Sequence, residues 1–361
     1  RRPKPSRHLQ AQGHWRFTPI AACYGRRAKL SFCAQARRPN VLGMPSKKTA
    51  IIVGGGIIGV TSAYTLARDG WAVRLLEAMP DVALGASFGN GRQLSYSHTS
   101  ALAAPSIVKQ IPRLVWGRDE AFRIRLRCDR HFAGWLVAFL AQCTANRHKR
   151  NTLEALELAE ASRRAMDHLQ EQHPIPFDHR KTGKFVLLRG EEAVANARVS
   201  VASKQAQGVD QRLLSPAEAF EIEPALANCA EPIDAAIFTA SDERGDCRRF
   251  AAALLSWLSE QYEVAFQGSS HAVELRRAHR ASVVTLASGE ELEADLVGVS
   301  SGHRSYELLA PLGHRLPIEP MKGYSFTAPL GNAAPVASVT DAKRRIVFTH
   351  LGDRILVAGV A

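Results

Sequence analysis

The chain has 361 residues, 46% hydrophobic and 22% charged, a composition that excludes a disordered protein and allows one large or two interleaved domains. Its net charge of +13 sits almost wholly in residues 1–48, which hold twelve of the 47 Lys and Arg residues and no acidic one; the remaining 35 basic residues face 34 acidic ones, which argues against a nucleic-acid partner. No stretch approaches the roughly 20 apolar residues of a membrane span, the best being 135–141, and six irregularly spaced cysteines without a CxxC pair suggest neither a disulfide framework nor a zinc centre, so a reducing compartment is expected.

Residues 1–43 read as a basic extension. Three readings stand: an Arg-rich targeting leader, a basic arm, or sequence upstream of a start at Met44, since the chain opens on Arg1. Residues 49–53 form a short apolar run, followed by a Gly-rich turn, a helix-period segment over 57–68 that stops at Asp69-Gly70, and a Val- and Leu-rich run over 72–77. That order of strand, turn, helix and strand predicts a βαβ unit of a parallel sheet. A polar, Gly-rich loop occupies 85–93. Apolar residues recur at helical spacing over 107–140, and 153–172 reads as an amphipathic helix ending before Pro174. Strands are predicted at 184–188 and 263–266. Helices are predicted at 215–223, where Ser215 and Glu218 have capping-box spacing, and at 248–260. Residues 281–286 and 291–299 read as a hairpin feeding a buried strand. The alternating runs 346–349 and 355–358 flank a turn at Gly352-Asp353, and the stop just after them reads as a truncated end.

Gly54-Gly55-Gly56-Ile57-Ile58-Gly59 fits GxGxxG, a pattern that is weak alone. Here it follows Val53 at the end of an apolar strand, opens a helix with the small Ala63 set to pack on the sheet, and is followed by Glu77, 21 residues after Gly56, at the end of the next strand. Glycines let the backbone turn tightly and approach a pyrophosphate, which then meets free amides and the positive end of a helix dipole. Glu77 can accept hydrogen bonds from a ribose diol. An acidic residue of this type, with the unit at the start of the body, favours FAD over NAD by analogy between folds. The loop carrying Ser87, Asn90, Gly91 and Gln93 suits close passage along the far half of such a dinucleotide.

These motifs carry a family resemblance. Residues 52–64, 87–93, Ala104-Pro105-Ser106, Asp242-Glu243-Arg244-Gly245-Asp246-Cys247 and Pro320-Met321-Lys322-Gly323-Tyr324-Ser325 together resemble the small subunits of bacterial D-amino-acid dehydrogenases, within the FAD-dependent D-amino-acid-oxidase-like superfamily, over nearly all of 49–361. The resemblance implies an α/β fold in which a Rossmann-type FAD-binding domain (about 48–100, 150–173 and 242–304) is interleaved with a mixed-sheet α+β substrate domain (about 176–241 and 305–361). It also implies non-covalent FAD, oxidative deamination of D-amino acids to 2-oxo acids and ammonia, and a respiratory electron acceptor, such as a quinone, at the inner face of the cytoplasmic membrane. Arg92 and Ser95-Tyr96-Ser97 depart from the family pattern, which bears on the substrate more than on the cofactor. Ser300-Ser301-Gly302 is a mild departure at the turn that closes the FAD domain. Relatives continue into an Arg-Pro-x-x-x-Asp-Gly segment, the expected source of the carboxylate-binding Arg; without it the site is expected to be incomplete.

Amine oxidation on a flavin needs position and charge more than acid–base help, so a substrate carboxylate calls for a cation. Lys322 and Tyr324 are the candidates, against the alternative that 322–324 is a strand with a glycine bulge. The histidines show no metal-ligand spacing, no metal is expected, and Cys247 reads as buried packing. Competing readings are an oxidase or dehydrogenase of glycine, sarcosine or a hydroxyproline isomer, a domain of a tRNA-modification enzyme, and an inactive fragment.

Overall fold

The computed structural model describes residues 47–360 apart from 118, 120–122 and 279–280; the basic extension assigned to residues 1–43 lies outside the described residues. Strand β1 (Thr49–Val53), helix α1 (Ile57–Arg68) and strand β2 (Ala72–Leu76) form the expected βαβ unit. β1 lies at the centre of a four-stranded parallel sheet, flanked by Leu296–Val299 on one side and β2 on the other, with Val264–Gln267 outside β2. Both faces of such a sheet must be covered, which explains the continuous apolar runs. On one face Val60, Ala63 and Ala67 of α1 pack with Phe250, Leu254 and Leu258 of the helix Cys247–Gln261. On the other, Ile51, Val53 and Leu76 meet Leu275, Val284 and Leu286 of an antiparallel three-stranded sheet (Ala272–Ala278, Ala281–Leu286, Glu291–Ala294).

The second large sheet has seven strands among the described residues, in the order Gly323–Pro329, Arg354–Val360, Ile346–Leu351, Ser338–Asp341, Lys184–Leu188, Ala235–Thr239 and Gln211–Leu214. It is mixed: Ser338–Asp341 runs parallel to Lys184–Leu188 while the other pairs are antiparallel. Side chains alternate across it. Phe185, Leu187, Phe238 and Val339 form one core with the helix Pro216–Ile222, and Val186, Leu188 and Ile237 form another with the helix Glu191–Gln205. The Ser215 hydroxyl accepts from the Glu218 amide, completing the capping box.

The apolar stretch over 107–140 is not one helix. It divides into Pro105–Val115 and Arg130–Gln142, because Gly117 takes a left-handed φ of 65° after the first and Asp129 caps the second by accepting from the Phe132 amide. The long helix begins at Ala145, eight residues before the expected start, in a polar first stretch with no hydrophobic period to betray it. The glycine bulge at 322–324 is also corrected. Gly323 pairs regularly with Val360, and glycine is needed there because a Cβ would come 2.9 Å from the Gly359 carbonyl oxygen.

Candidate cofactor and substrate site

Strands β1, β2 and Leu296–Val299 all end at one edge of the parallel sheet, where the Gly-rich bend sits. Gly54 adopts φ 108°, its amide donates to the Leu76 carbonyl at 2.8 Å, and a Cβ would lie 2.6 Å from the Ser300 carbonyl oxygen. A Cβ on Gly59 would collide with the Gly54 carbonyl, so this glycine lets α1 sit against the strand. Gly56 differs: a Cβ there meets only the Ser87 hydroxyl, at 3.4 Å, and its space opens outwards. α1 begins beside it with no capping side chain from Gly56 and no acidic residue in its first turn, a helix end open to an anion. Ile57 is partly buried and Ile58 is exposed.

Glu77 extends from β2 beneath this bend. Its carboxylate accepts from the Gly55 amide at 2.6 Å and the Met79 amide at 2.9 Å. Each oxygen keeps a further lone pair, so the ribose role read from sequence remains compatible with its position. A cavity of about 180 Å³ adjoins it, lined by Val53, Gly54, Leu76, Ser270, His271 and Ser301 among others. The sequence reading missed Ser270 and His271, which enter a strand whose apolar pattern is too weak to have been recognised. The cavity, the Glu77 carboxylate and the Gly-rich bend adjoin one another at this sheet edge, and these residues fit a dinucleotide.

The loop after β2 reaches the seven-stranded sheet, and here the structure reassigns several side chains. Ser87 faces the start of α1, its oxygen accepting from the Ile57 amide at 3.0 Å, so it belongs with the pyrophosphate bend. The Asn90 side chain accepts from the Arg92 amide at 2.9 Å and holds the left-handed turn at Arg92. The Gly91 carbonyl accepts from the Thr349 hydroxyl at 2.7 Å, and a Cβ on Gly91 would lie 2.8 Å from Val347. Gln93 donates to the Phe348 carbonyl at 3.4 Å and accepts from the Thr340 hydroxyl at 3.5 Å. Gly91 and Gln93 thus dock the loop on the sheet. A Cβ on Gly89 would come 3.7 Å from the Ser325 hydroxyl, so the edge strand turns Ser325 towards the loop and its neighbour Tyr324 the other way. Tyr324 is 61% exposed, with the Lys322 ammonium 5.2 Å from its ring centroid.

The stretch Asp242–Cys247 stitches the two sheets together. Asp242, fully buried, accepts from the Ser97 hydroxyl at 2.8 Å, and burial holds its carboxyl above the usual range. Glu243 accepts from His179 at 2.6 Å and pairs with Lys181 at 3.1 Å. The Arg244 amide donates to the Arg180 carbonyl, and a Cβ on Gly245 would run into the Phe177 ring. Asp246 caps the helix Cys247–Gln261 through the Arg248 and Arg249 amides and forms a buried ion pair with Arg92. Arg92, flagged as a departure bearing on substrate, is therefore a structural partner of Asp246. Burial pushes the Cys247 thiol up, away from nucleophile chemistry.

Around Ser97 lie Lys184, Lys204 and His98. Lys184 donates to the Ser95 hydroxyl at 2.9 Å, Lys204 to the Ser97 carbonyl at 2.7 Å, and burial lowers the Lys184 pKa to about 8. Burial, reinforced by the two lysines, lowers His98 from 6.5 to about 3. The unfolded chain therefore binds a proton that the folded one refuses, and stability falls as pH drops from 6.5 towards about 3, by at most about 1.4 kcal/mol per pH unit. His98→Gln should flatten this acid-side fall in melting temperature relative to the parent; parallel curves would rule out His98 as its source.

A dinucleotide-binding α/β oxidoreductase is the class that this fold and bend define. The chain belongs to the FAD dependent oxidoreductase family, whose model matches residues 49–361. It is 36% identical over 317 residues to D-amino acid dehydrogenase 2 of Ralstonia nicotianae, covering 86% of this chain and 75% of that one. It is also 36% identical over 314 residues to D-amino acid dehydrogenase of Methylobacterium radiotolerans, with the same coverage. Among solved structures the fold resembles glycine oxidase from Geobacillus kaustophilus (TM-score 0.58, 19% identity, 87% of this chain and 72% of that one). It likewise resembles L-proline dehydrogenase from P. horikoshii (TM-score 0.58, 17% identity, 88% and 71%).

Proposed function

We propose that this flavoenzyme oxidises small D-amino acids to 2-oxo acids and ammonia and delivers the electrons to a respiratory acceptor, a quinone, at the inner face of the cytoplasmic membrane. The observation that carries the reading is the bend at Gly54–Gly59 with Glu77 beneath it, in a chain 36% identical to proteins named D-amino acid dehydrogenase. In this reading about 48–100, 150–173 and 242–304 hold the cofactor, and about 176–241 and 305–361 the substrate.

Bound FAD supplies the hydride acceptor for the substrate Cα–H. The chain's own residues do the rest. Within the bend at Val53 to Gly59 the Gly54, Gly55 and Ile57 amides donate to Leu76, Glu77 and Ser87, so the paired phosphates would be held by the amides of Gly56, Ile58 and Gly59, with Glu77 accepting from the ribose and Ser87 fixing the start of α1. The loop carrying Asn90, Gly91 and Gln93 docks directly on the sheet face that bears Thr340 and Thr349 and so fixes the seven-stranded sheet beside the cofactor bend. Lys322, the cation named from the sequence for the substrate carboxylate, lies over Tyr324 on the side of the edge strand turned away from this loop, so neither side chain is assigned a contact with the substrate.

The purified protein should show a flavin spectrum, and anaerobic addition of D-alanine should bleach the visible band while L-alanine leaves it unchanged. Bleaching by glycine or sarcosine but not by D-alanine would replace the substrate assignment, and a colourless folded protein that takes up no added FAD would remove the reading altogether.

A further inference from the structure

The helix Arg130–Gln142 has no charged or strongly polar side chain between His131 and Gln142. A helix apolar all round belongs in a protein interior or in lipid. Here only one side is covered. Phe132 is buried, and Phe132, Trp135 and Phe139 stack along the inner side with ring centroids 5.8 and 5.2 Å apart. The outward side, made of Ala133, Gly134, Val137, Ala138, Leu140 and Ala141, is exposed, and Val137 reaches 69%. Leu126, just before the helix, is 58% exposed.

Charge decides what covers this face. Residues 123–150 carry seven Lys and Arg residues against a single acidic one, Asp129, although the chain beyond residue 48 is close to neutral. The basic residues stand at the two ends of the helix: Arg123, Arg125, Arg127 and Arg130 at its start, and Arg147, Lys149 and Arg150 after it, all exposed, with Arg127 also paired to Asp129 and Glu319 and Arg150 to Glu154. An apolar strip with cations at both ends matches the layered chemistry of an anionic bilayer surface, acyl chains below and phosphates at the rim. A protein partner would be expected to offer carboxylates to these cations. No helix among the described residues is long and apolar enough to cross a membrane, so the strip lies on the surface and does not span it.

We infer that the outer face of Arg130–Gln142, with its flanking arginines and lysine, docks the protein on anionic phospholipid. This deepens the membrane-side electron delivery proposed above by naming the surface that makes the contact. It does not depend on catalysis, because reduction by D-alanine in solution can succeed where vesicle binding fails.

The test uses the full chain and vesicles of phosphatidylcholine, alone or with an equal part of phosphatidylglycerol, some brominated on the acyl chains. The protein should bind the anionic vesicles, and the brominated lipid should quench its tryptophan emission. Val137→Asp should lower partitioning at least tenfold and remove most of the quenching. Arg125→Glu with Lys149→Glu should lower partitioning by about fivefold per charge removed and steeply with added salt. Flavin content and far-ultraviolet circular dichroism should be unchanged in both. Since residues 1–48 are also basic, partitioning that is unaltered by Val137→Asp would assign binding to them and overturn the proposal. Equal binding to neutral vesicles would overturn it too, as would a dimer in solution that Val137→Asp dissociates.

Discussion

Gly56→Val should yield a folded protein that has lost its flavin. The parent backbone at Gly56, with φ −69° and ψ 179°, is open to any L-residue, and the nearest atom to an added Cβ is the Ser87 hydroxyl at 3.4 Å. The valine side chain instead projects into the space over the start of α1, where the phosphates must come within hydrogen-bond reach of the amides. Hydrogen bonds to a charged group contribute about 1.5–3 kcal/mol each, so loss of a single one weakens binding by about tenfold to a hundredfold. Flavin per chain, read from absorbance, should fall to near zero with circular dichroism unchanged. Full flavin content in Gly56→Val would remove the pyrophosphate from this bend. Gly59→Ala makes the contrast: its Cβ has no room against the Gly54 carbonyl, so it should lose the fold together with the flavin.

The second large effect concerns Asp246. Its side chain and that of Arg92 are both almost wholly buried, and the same carboxylate caps the helix Cys247–Gln261. Asp246→Ala leaves a buried guanidinium without its counter-charge and two helix amides without their acceptor. Breaking a buried ion pair on one side costs about 3–5 kcal/mol, and loss of an N-cap about 1 kcal/mol. Asp246→Asn keeps an acceptor for the cap and should be less damaging. Adding Arg92→Met to Asp246→Asn should recover part of the loss, because no unpaired charge is then buried. Denaturant unfolding of the parent, Asp246→Asn, Arg92→Met and the double variant measures the coupling. If the double variant is no more stable than Asp246→Asn alone, the Arg92 charge is not the cause. Flavin retention should fall with stability in Asp246→Ala, since Arg92 belongs to the loop that joins the cofactor bend to the seven-stranded sheet.

The βαβ unit was legible because every signal in it is local. An apolar run, three spaced glycines, a helix period and an acidic residue after the next strand lie within thirty residues, and the geometry realises them in that order. The family resemblance carried by 52–64, 87–93 and 242–247 agrees with the family match over 49–361. The capping box at Ser215 was legible for the same reason. The strands Gln211–Leu214 and Ser338–Asp341 were not read because each has only four residues, and Ala272–Ala278 because Glu274, Arg276 and Arg277 break up its apolar pattern although it pairs with the next strand in the chain. Ser338–Asp341 pairs with Lys184–Leu188 across some 150 residues, and nothing in four residues announces that neighbour.

Side-chain roles divide along the same line. From the sequence alone came the backbone chemistry of the cofactor bend, since the positive φ of Gly54, the missing side chains of Gly56 and Gly59 and the helix end beyond them are properties of contiguous residues. Which polar groups remain free to meet a ligand was settled only by tertiary packing. Ser87 turned to α1, Gln93 and Gly91 to the seven-stranded sheet, Arg92 to Asp246, and Ser325 rather than Tyr324, the residue named from the sequence, faces the loop. Each of these partners is distant in sequence, except that Ser87 lies thirty residues from Ile57. A polar side chain satisfies whichever donor or acceptor the fold brings within about 3 Å, and that choice is made only once the sheets have come together.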